Sequence, residues 1–314
     1  VQLRCYPEEK FHSGAWDTYE WQPSTKDCNL SPWNRLEFCQ SMRRATILIT
    51  GDSLSWEQYR SLNHLLGIHV SQFSQHQSKA EQGNIVHYGC HGQTRLVFRR
   101  DDLLENLTQA IFHQGTFPQV IVMNRGAHYQ NDTMLLAGMV KVIEEIKGWK
   151  SQCARLQIAC HLYWRTSVPG HPNCEKGGFD GPVNDLQAME AMIGNLSNYN
   201  SRTLKYHWYD YQHQNEIVLD LLTQTLGPDS FEIVDAYYLN VLRPDEHRAH
   251  QGDCLHNCYP GKMDVYNQLL LHFLKRQRSL GDIEGLIRWQ DEYYNKTSNA
   301  VNATKAQNRS VIVS

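Results

Sequence analysis

The chain has 314 residues, 41% of them hydrophobic, and a formal net charge of −3 at pH 7. These values are typical of a globular protein and give no electrostatic reason to expect nucleic acid or an anionic membrane as the main partner. The apolar runs, such as Val120–Met123, are far shorter than the roughly 20 residues that cross a bilayer. We therefore expect attachment to a membrane only through an anchor outside this sequence.

The first predicted elements surround a serine. Residues 1–44 are rich in Trp, Pro and Cys with weak periodicity, which predicts an irregular, disulfide-pinned lead-in packed on the core. Ile47–Thr50 is short, apolar and β-branched, as in a buried parallel strand, and Trp56–Leu66 has a helical pattern. The turn Gly51–Ser53 would place Ser53 at the carboxyl end of the sheet, beside the free N–H groups of a helix N-terminus. Such a serine suits a reaction that develops an oxyanion, although the same three residues also occur in ordinary turns.

From residue 45 onwards, strand patterns alternate with helix patterns. This alternation predicts an α/β fold with a central, mostly parallel sheet and helices on both faces. We expect one three-layer domain over residues 45–290 and a polar, flexible, glycosylated tail over 291–314. The further predicted strands are 85–88, 94–98, 118–124, 155–164 and 231–235, and the further predicted helices are 101–114, 133–149, 183–196, 214–225 and 266–276.

Cysteines and glycosylation sequons indicate an oxidising compartment. Nine cysteines are scattered without paired Cys-x-x-Cys arms, which favours disulfides over a zinc site, and their odd number implies a free thiol or an intermolecular bond. We expect the lumen of the secretory pathway, such as the Golgi, or the outside of a cell. The sequons, of the form Asn-x-Ser/Thr, begin at Asn29, Asn106, Asn131, Asn195, Asn295, Asn302 and Asn308.

A second segment supplies partners for a nucleophile. A serine needs a base to accept its proton and a carboxylate to orient that base. Asp253 and His256 are three residues apart, so on a helical turn or tight loop they face the same side. Asp253 would then hold the imidazole in the tautomer that presents a lone pair to Ser53. Spacing alone equally allows a loop, fixed by disulfides of Cys254 and Cys258, with a surface acid and a capping histidine.

Five blocks follow one another along the chain: Trp21–Cys28, Gly51–Leu62, Val122–His128, Trp164–His171 with Gly177–Gly178, and Asp253–Gly261. In this order they resemble the GDSL (SGNH) hydrolase superfamily. The resemblance is closer still to its trichome birefringence-like/PC-esterase branch, which includes plant polysaccharide O-acetyltransferases. The chain departs from that pattern at Ala127, an extra residue in Asn-x-Gly-His, in a lead-in that lacks some family cysteines, and at Gly178, which no cysteine follows. These departures leave the disulfide map and the polysaccharide open. The cysteines assigned to disulfides are Cys5, Cys28, Cys174, Cys254 and Cys258.

The resemblance implies a two-step acyl transfer without a cofactor or metal, in which an acetyl donor is a co-substrate. Ser53 would attack the donor with His256 as general base and Asp253 as its orienting partner. The oxyanion donors would be the Ser53 N–H, the Asn124 amide and a glycine N–H, which we assign to Gly89 over Gly92 and Gly126. The residues expected to contact substrate in the cleft are Asp52, Arg125, His128, Trp164, Arg165 and His171.

Three alternatives remain open from the sequence. A carbohydrate esterase would use the same three residues and differ only in letting water reach the acyl-enzyme. An inactive glycan-binding protein could keep the fold, although the intact Ser, His and Asp set argues against it. A metal hydrolase could use His247, His250, Asp253 and His256 as ligands, but the chain has no His-Glu-x-x-His segment and the serine block would then be unexplained.

Overall fold

A six-stranded sheet forms the centre of the molecule. The structure, a computed structural model, describes residues 30–68, 84–112, 117–126, 128–129, 131–176, 179, 181–248, 252–258 and 261–276. The strands are β1 Thr46–Gly51, β2 Ile85–Gly89, β3 Thr94–Arg100, β4 Val120–Met123, β5 His161–Arg165 and β6 Glu232–Val234, and a separate antiparallel pair is formed by β7 His247–Arg248 and β8 Asp253–Asn257. The order across the central sheet is β2-β3-β1-β4-β5-β6. Neighbouring strands in it pair in parallel, except that β2 runs antiparallel to β3.

Helices cover both faces of the sheet. The α-helices are α1 Arg35–Met42, α2 Ser53–Leu65, α3 Leu107–Ile111, α4 Asp132–Arg155, α5 Leu186–Gly194, α6 Ser201–Leu204, α7 Tyr211–Leu226, α8 Tyr237–Val241 and α9 Lys262–Arg276. Side chains alternate across β1, so that Ile47 and Ile49 pack with α1, α2, α5 and α9, while Leu48 packs with α3, α4 and α7. The two resulting cores define three layers.

The predicted fold class is confirmed: this is a single α/β domain with a mostly parallel sheet between helical layers. The helix expected over 101–114 is only α3, because the Asp101 carboxylate accepts the N–H groups of Glu105 and Asn106 in a turn. The strand expected over 155–164 is only β5, because α4 continues to Arg155. The described end of the lead-in contains α1, while residues 1–29 and 277–314 lie outside the described residues, so the domain boundaries stay predictions.

Disulfides connect elements around the sheet. The described pairs are Cys39–Cys90, Cys153–Cys160 and Cys174–Cys254. Cys258 is also disulfide-bonded, whereas Cys5 and Cys28 lie outside the described residues. These bonds fit a protein of the secretory pathway. In the part of the chain that the structure describes, every helix is too short or too polar to cross a membrane.

Candidate active site

Ser53 is the first residue of α2, immediately after β1. The Asp52 carboxylate caps the helix by accepting the N–H groups of Leu54 at 2.9 Å and Ser55 at 3.4 Å. Gly51 has φ of +141°, and a Cβ there would lie 2.4 Å from the Ser55 Oγ, so the turn into the helix requires glycine. Among the described residues, the N–H of Ser53 makes no hydrogen bond. The turn therefore presents a hydroxyl and a free N–H together at the carboxyl end of the sheet.

His256 and Asp253 reach Ser53 from β8. His256 Nε2 lies 2.8 Å from Ser53 Oγ, and His256 Nδ1 lies 2.8 Å from Asp253 Oδ2 and 3.1 Å from Asp253 Oδ1. The two residues face each other across an irregular strand with a register shift in its pairing with β7, rather than on a helical turn. The carboxylate accepts the Nδ1 proton, which leaves the Nε2 lone pair to accept the hydroxyl proton of Ser53.

The Asp253 carboxylate is stabilised in its charged form. Burial by itself raises the pKa of this group, but the hydrogen bond and charge of His256 and the N–H groups of His256 and Leu255 outweigh it. The net pKa of Asp253 is well below its ordinary value. The side chains of His256 and Asp253 are 26% and 30% exposed, so the imidazole is accessible from solvent. A charged orienting group beside an accessible base is suited to proton transfer at neutral pH.

Several contacts fix β8 in place. Cys254, next to Asp253, is bonded to Cys174, and its carbonyl accepts the N–H of His171 at 2.9 Å. On the other side of the strand, the Cys258 N–H donates to the carbonyl oxygen of Glu246, the residue before β7, at 3.0 Å. The backbone of the base is therefore held by a covalent bond on one side and by β7 on the other.

His171 and His247 form a buried pair behind the catalytic strand. His171 Nδ1 lies 2.6 Å from His247 Nε2, and His171 Nε2 donates to the carbonyl of Val241 at 2.8 Å. Burial, assisted by the charge of Lys262 and opposed by the bond to Val241, lowers the pKa of His171 to about 3, and burial also holds the pKa of His247 well below its ordinary value. Both rings are neutral near pH 7. The structure thus places His171 in the interior, supporting β7, rather than in a cleft.

Most of the other predicted substrate residues are also buried. Trp164 packs in the core on the α4 side of the sheet, away from α2. Arg165 is fully buried; its Nη2 donates to Ser55 Oγ at 3.1 Å and lies 3.9 Å from Asp52 Oδ1. The buried Arg125 lies over the ring of Tyr129, with 4.7 Å from Cζ to the ring centroid. These placements correct the expectation of direct substrate contact, because the side chains of Trp164, Arg165 and Arg125 are buried and contact other parts of the protein.

His128 is the predicted substrate residue with an accessible side chain. Its side chain is 30% exposed, and its Nε2 lies 3.6 Å from Asp102 Oδ2. The ring also meets Tyr206 edge-on at 6.1 Å between centroids. His128 follows β4 and Asp102 follows β3, so both lie near the carboxyl ends of parallel strands, as Ser53 does.

The predicted oxyanion donors are placed unequally. Asn124 follows β4 at the expected edge, but its amide donates to the Arg165 carbonyl at 2.8 Å and to Ser167 Oγ at 3.2 Å. Gly89 ends β2 opposite Thr94, the first residue of β3, whereas Gly51 pairs with the last residue of β3. Gly89 therefore lies at the opposite edge of the sheet from Ser53. This corrects its assignment as a donor, and the reason is the antiparallel direction of β2.

Other predicted positions can be placed as follows. Asn131 and Asn195 are exposed and Asn106 is partly buried; the remaining sequons, Gly177, Gly178 and His250 lie outside the described residues. Of the residues considered as metal ligands, His256 faces Asp253 and Ser53, and His247 faces His171.

Sequence reasoning missed His247 as a partner of His171 and Glu57 as a partner of Asn257. For Glu57 the sequence does hold a signal: it is a charged residue one helical turn after Ser53, on the side of the helix that faces the core, and a buried charge needs a partner.

In this α/β domain a serine lies at the first strand–helix turn and an Asp-x-x-His segment precedes the last helix, which are the two features on which the resemblance in the sequence rests. A comparison with curated proteins adds a relative. The chain is 42% identical over 324 aligned positions to Protein trichome birefringence-like 15 of Arabidopsis thaliana, a match that covers 82% of this chain and 62% of that protein. This similarity supports the trichome birefringence-like branch of the PC-esterase/GDSL-like family for the chain, which spans less than two thirds of the length of that relative. No family model matches the chain.

Proposed function

We propose that this protein is a serine-dependent O-acyltransferase that moves an acetyl group to a hydroxyl of a polysaccharide or other glycan. The observation that carries the proposal is the continuous set of contacts from Ser53 Oγ through His256 to Asp253, each 2.8 Å at its shortest. Similarity to the trichome birefringence-like family supports acyl transfer to a glycan rather than another serine reaction. Disulfides support action in the secretory pathway, and we propose the Golgi lumen.

The first half-reaction forms the acyl-enzyme. The Ser53 Oγ attacks the acetyl carbonyl carbon of the donor while its proton passes to His256 Nε2. The donor oxygen then leaves with that proton. The free N–H of Ser53, at the positive end of the α2 dipole, is suited to the negative oxygen that develops, and each such donor lowers a barrier by about 3 kcal/mol. The Asn124 amide would join it after release from Ser167.

The second half-reaction transfers the acetyl group. An acceptor hydroxyl gives its proton to His256 Nε2 as its oxygen attacks the carbonyl carbon of acetyl-Ser53. The proton returns to Ser53 Oγ when the bond to the serine breaks. Asp253 stabilises the imidazolium in both halves and is not itself protonated.

A carbohydrate acetylesterase is the second candidate. The imidazole of His256 is 26% exposed, so water can approach the base directly. The two functions share every step up to the acyl-enzyme and differ in whether a sugar hydroxyl or water attacks it.

The test incubates the protein with an acetyl-ester donor, with and without a panel of polysaccharide fragments, and follows acetyl-glycan and free acetate by mass spectrometry. Acetylated glycan with little free acetate is expected. Free acetate alone, at a rate that glycan does not change, would contradict the transferase. Ser53→Ala should lower either activity by several orders of magnitude, whereas Ser151→Ala, at an exposed position of α4, is the matched control. A Ser53→Ala protein as active as the control would contradict the serine mechanism.

A further inference from the structure

Glu57 connects the helix of the nucleophile to the strand of the base. It lies in α2 four residues after Ser53, so the two side chains lie near the same face of the helix. One of its carboxylate oxygens, Oε2, accepts two hydrogen bonds from Asn257: one from the backbone N–H at 3.0 Å and one from the side-chain Nδ2 at 3.2 Å. Asn257 directly follows His256 in β8. The contact joins residues that are 200 positions apart in the chain.

Both partners lie in the interior. Glu57 is 2% exposed and Asn257 is 0% exposed. A buried carboxylate keeps its place only when hydrogen-bonded, and bonds to such a group are roughly twice as strong as those between neutral groups. The charge of Glu57 also acts on two buried cations, Arg165 and Lys262. Burial lowers the pKa of both side chains, and the negative charge of Glu57 opposes this effect. The carboxylate is therefore fixed by its surroundings as well as by Asn257.

We propose that Glu57 is a positioning residue that sets the distance between His256 Nε2 and Ser53 Oγ. Besides the contact of His256 with Ser53, this is a second hydrogen-bonded link between β8 and α2, whereas the Cys174 disulfide and the pairing with β7 hold β8 to other parts of the fold. Without it, β8 remains anchored but its register against the serine is free to shift. A displacement of about 1 Å at a reacting centre costs about 10²-fold in rate.

The geometry distinguishes position from charge. Both bonds from Asn257 end on the same oxygen, so a glutamine that places its amide oxygen there keeps both. Glu57→Gln should therefore retain kcat within about five-fold. Glu57→Ala removes both bonds and should lower kcat about 100-fold, with KM changed far less. Asn257→Ala keeps the backbone N–H bond and should show an intermediate loss of about ten-fold.

The inference rests on the proposed function, and the experiment separates the two. Wild-type and variant proteins are treated with a fluorophosphonate, which labels an activated serine with loss of fluoride, and the labelling rate is measured per folded molecule together with kcat and KM for an acetyl ester. Labelling of wild-type protein no faster than of Ser53→Ala contradicts the proposed function. Fast labelling of wild-type protein, with Glu57→Ala labelled as fast, contradicts only the positioning role.

Further variants keep the test decisive. The control is Glu144→Ala, whose carboxylate lies on the surface of α4 in a pair with Lys147, and it should match wild type. The double variant of Glu57→Ala and Asn257→Ala should be no slower than Glu57→Ala alone, since one interaction is removed in each; fully additive losses would contradict the proposal. If Glu57→Ala does not fold, Asn257→Ala and Glu57→Gln carry the test, and equal rates for Asn257→Ala and wild type would contradict the proposal.

Discussion

Asp253→Asn should disable the base without disturbing the fold. Asp253 Oδ1 accepts the N–H groups of Leu255 at 3.2 Å and His256 at 3.1 Å, so an asparagine here must keep its oxygen at that position. Its NH₂ group then replaces Oδ2, the atom that lies 2.8 Å from His256 Nδ1. A donor at this point favours the tautomer with the proton on Nε2, which faces Ser53 Oγ and can no longer accept its hydrogen.

The expected loss is large because the wrong tautomer removes the general base. Substitution of this kind in a Ser-His-Asp site costs about 10⁴-fold in kcat, which is about 5.5 kcal/mol of activation free energy. The folded structure should change little, since the two backbone contacts survive. The thermal midpoint is therefore expected to stay within a few degrees of wild type.

The assay is hydrolysis of a chromogenic acetyl ester, read as kcat per folded molecule. The control is Asp185→Asn, which makes the same chemical change at the N-cap of α5, where asparagine caps as well as aspartate. The control should match wild type in rate and in thermal midpoint. A loss of less than ten-fold in Asp253→Asn, in folded protein, would refute the assigned role of Asp253.

Two further predictions concern stability. Replacing Cys174 and Cys254 together by alanine opens a loop of 80 residues and should cost roughly 4 kcal/mol of unfolding free energy and most of the activity. The same change at Cys153 and Cys160, seven residues apart, should cost roughly 2 kcal/mol and leave kcat unchanged. Stability is measured by urea titration of each double variant, and equal activity in the two would contradict the link between the first disulfide and β8. On acidification from about pH 6.5 to about pH 3, the unfolding free energy should fall by at most about 5 kcal/mol because of His171. The reason is that the imidazole of the unfolded chain binds a proton in this window, whereas the buried one, with its pKa lowered to about 3, does not. In urea titrations of His171→Gln the unfolding free energy should depend less steeply on pH than in wild type, and an unchanged dependence would contradict this origin.

Local sequence patterns predict the separate parts of the active site but not how they come together. The sequence predicts Ser53 because an apolar run, a Gly-Asp turn and a helical pattern follow one another within 20 residues, and each depends on neighbours in the chain. Spacing alone groups Asp253 with His256. The structure brings this pair to Ser53 over a separation of 203 residues, a step for which the sequence offered only resemblance.

Errors at the site share one cause. The residue pattern of β2 does not distinguish parallel from antiparallel pairing, so it does not specify the edge of the sheet at which Gly89 lies; the antiparallel pairing with β3 does. Trp164 and Arg165 are neighbours that face opposite sides of β5, and only the layers packed on each face make both of them interior. Burial is a property of the whole assembly, which residue type does not specify.

The sequence by itself determined the alternation of strands and helices, the turn that carries Ser53, and the Asp-x-x-His segment, because periodicity, turn chemistry and short spacing act within a few residues. The tertiary structure decided the direction of β2, the pairing of Cys174 with Cys254, the burial of His171 against His247, and the bonds from Asn257 to Glu57. Each of these depends on segments far apart in the chain meeting at one place. The distance from Ser53 to His256 is set by such contacts.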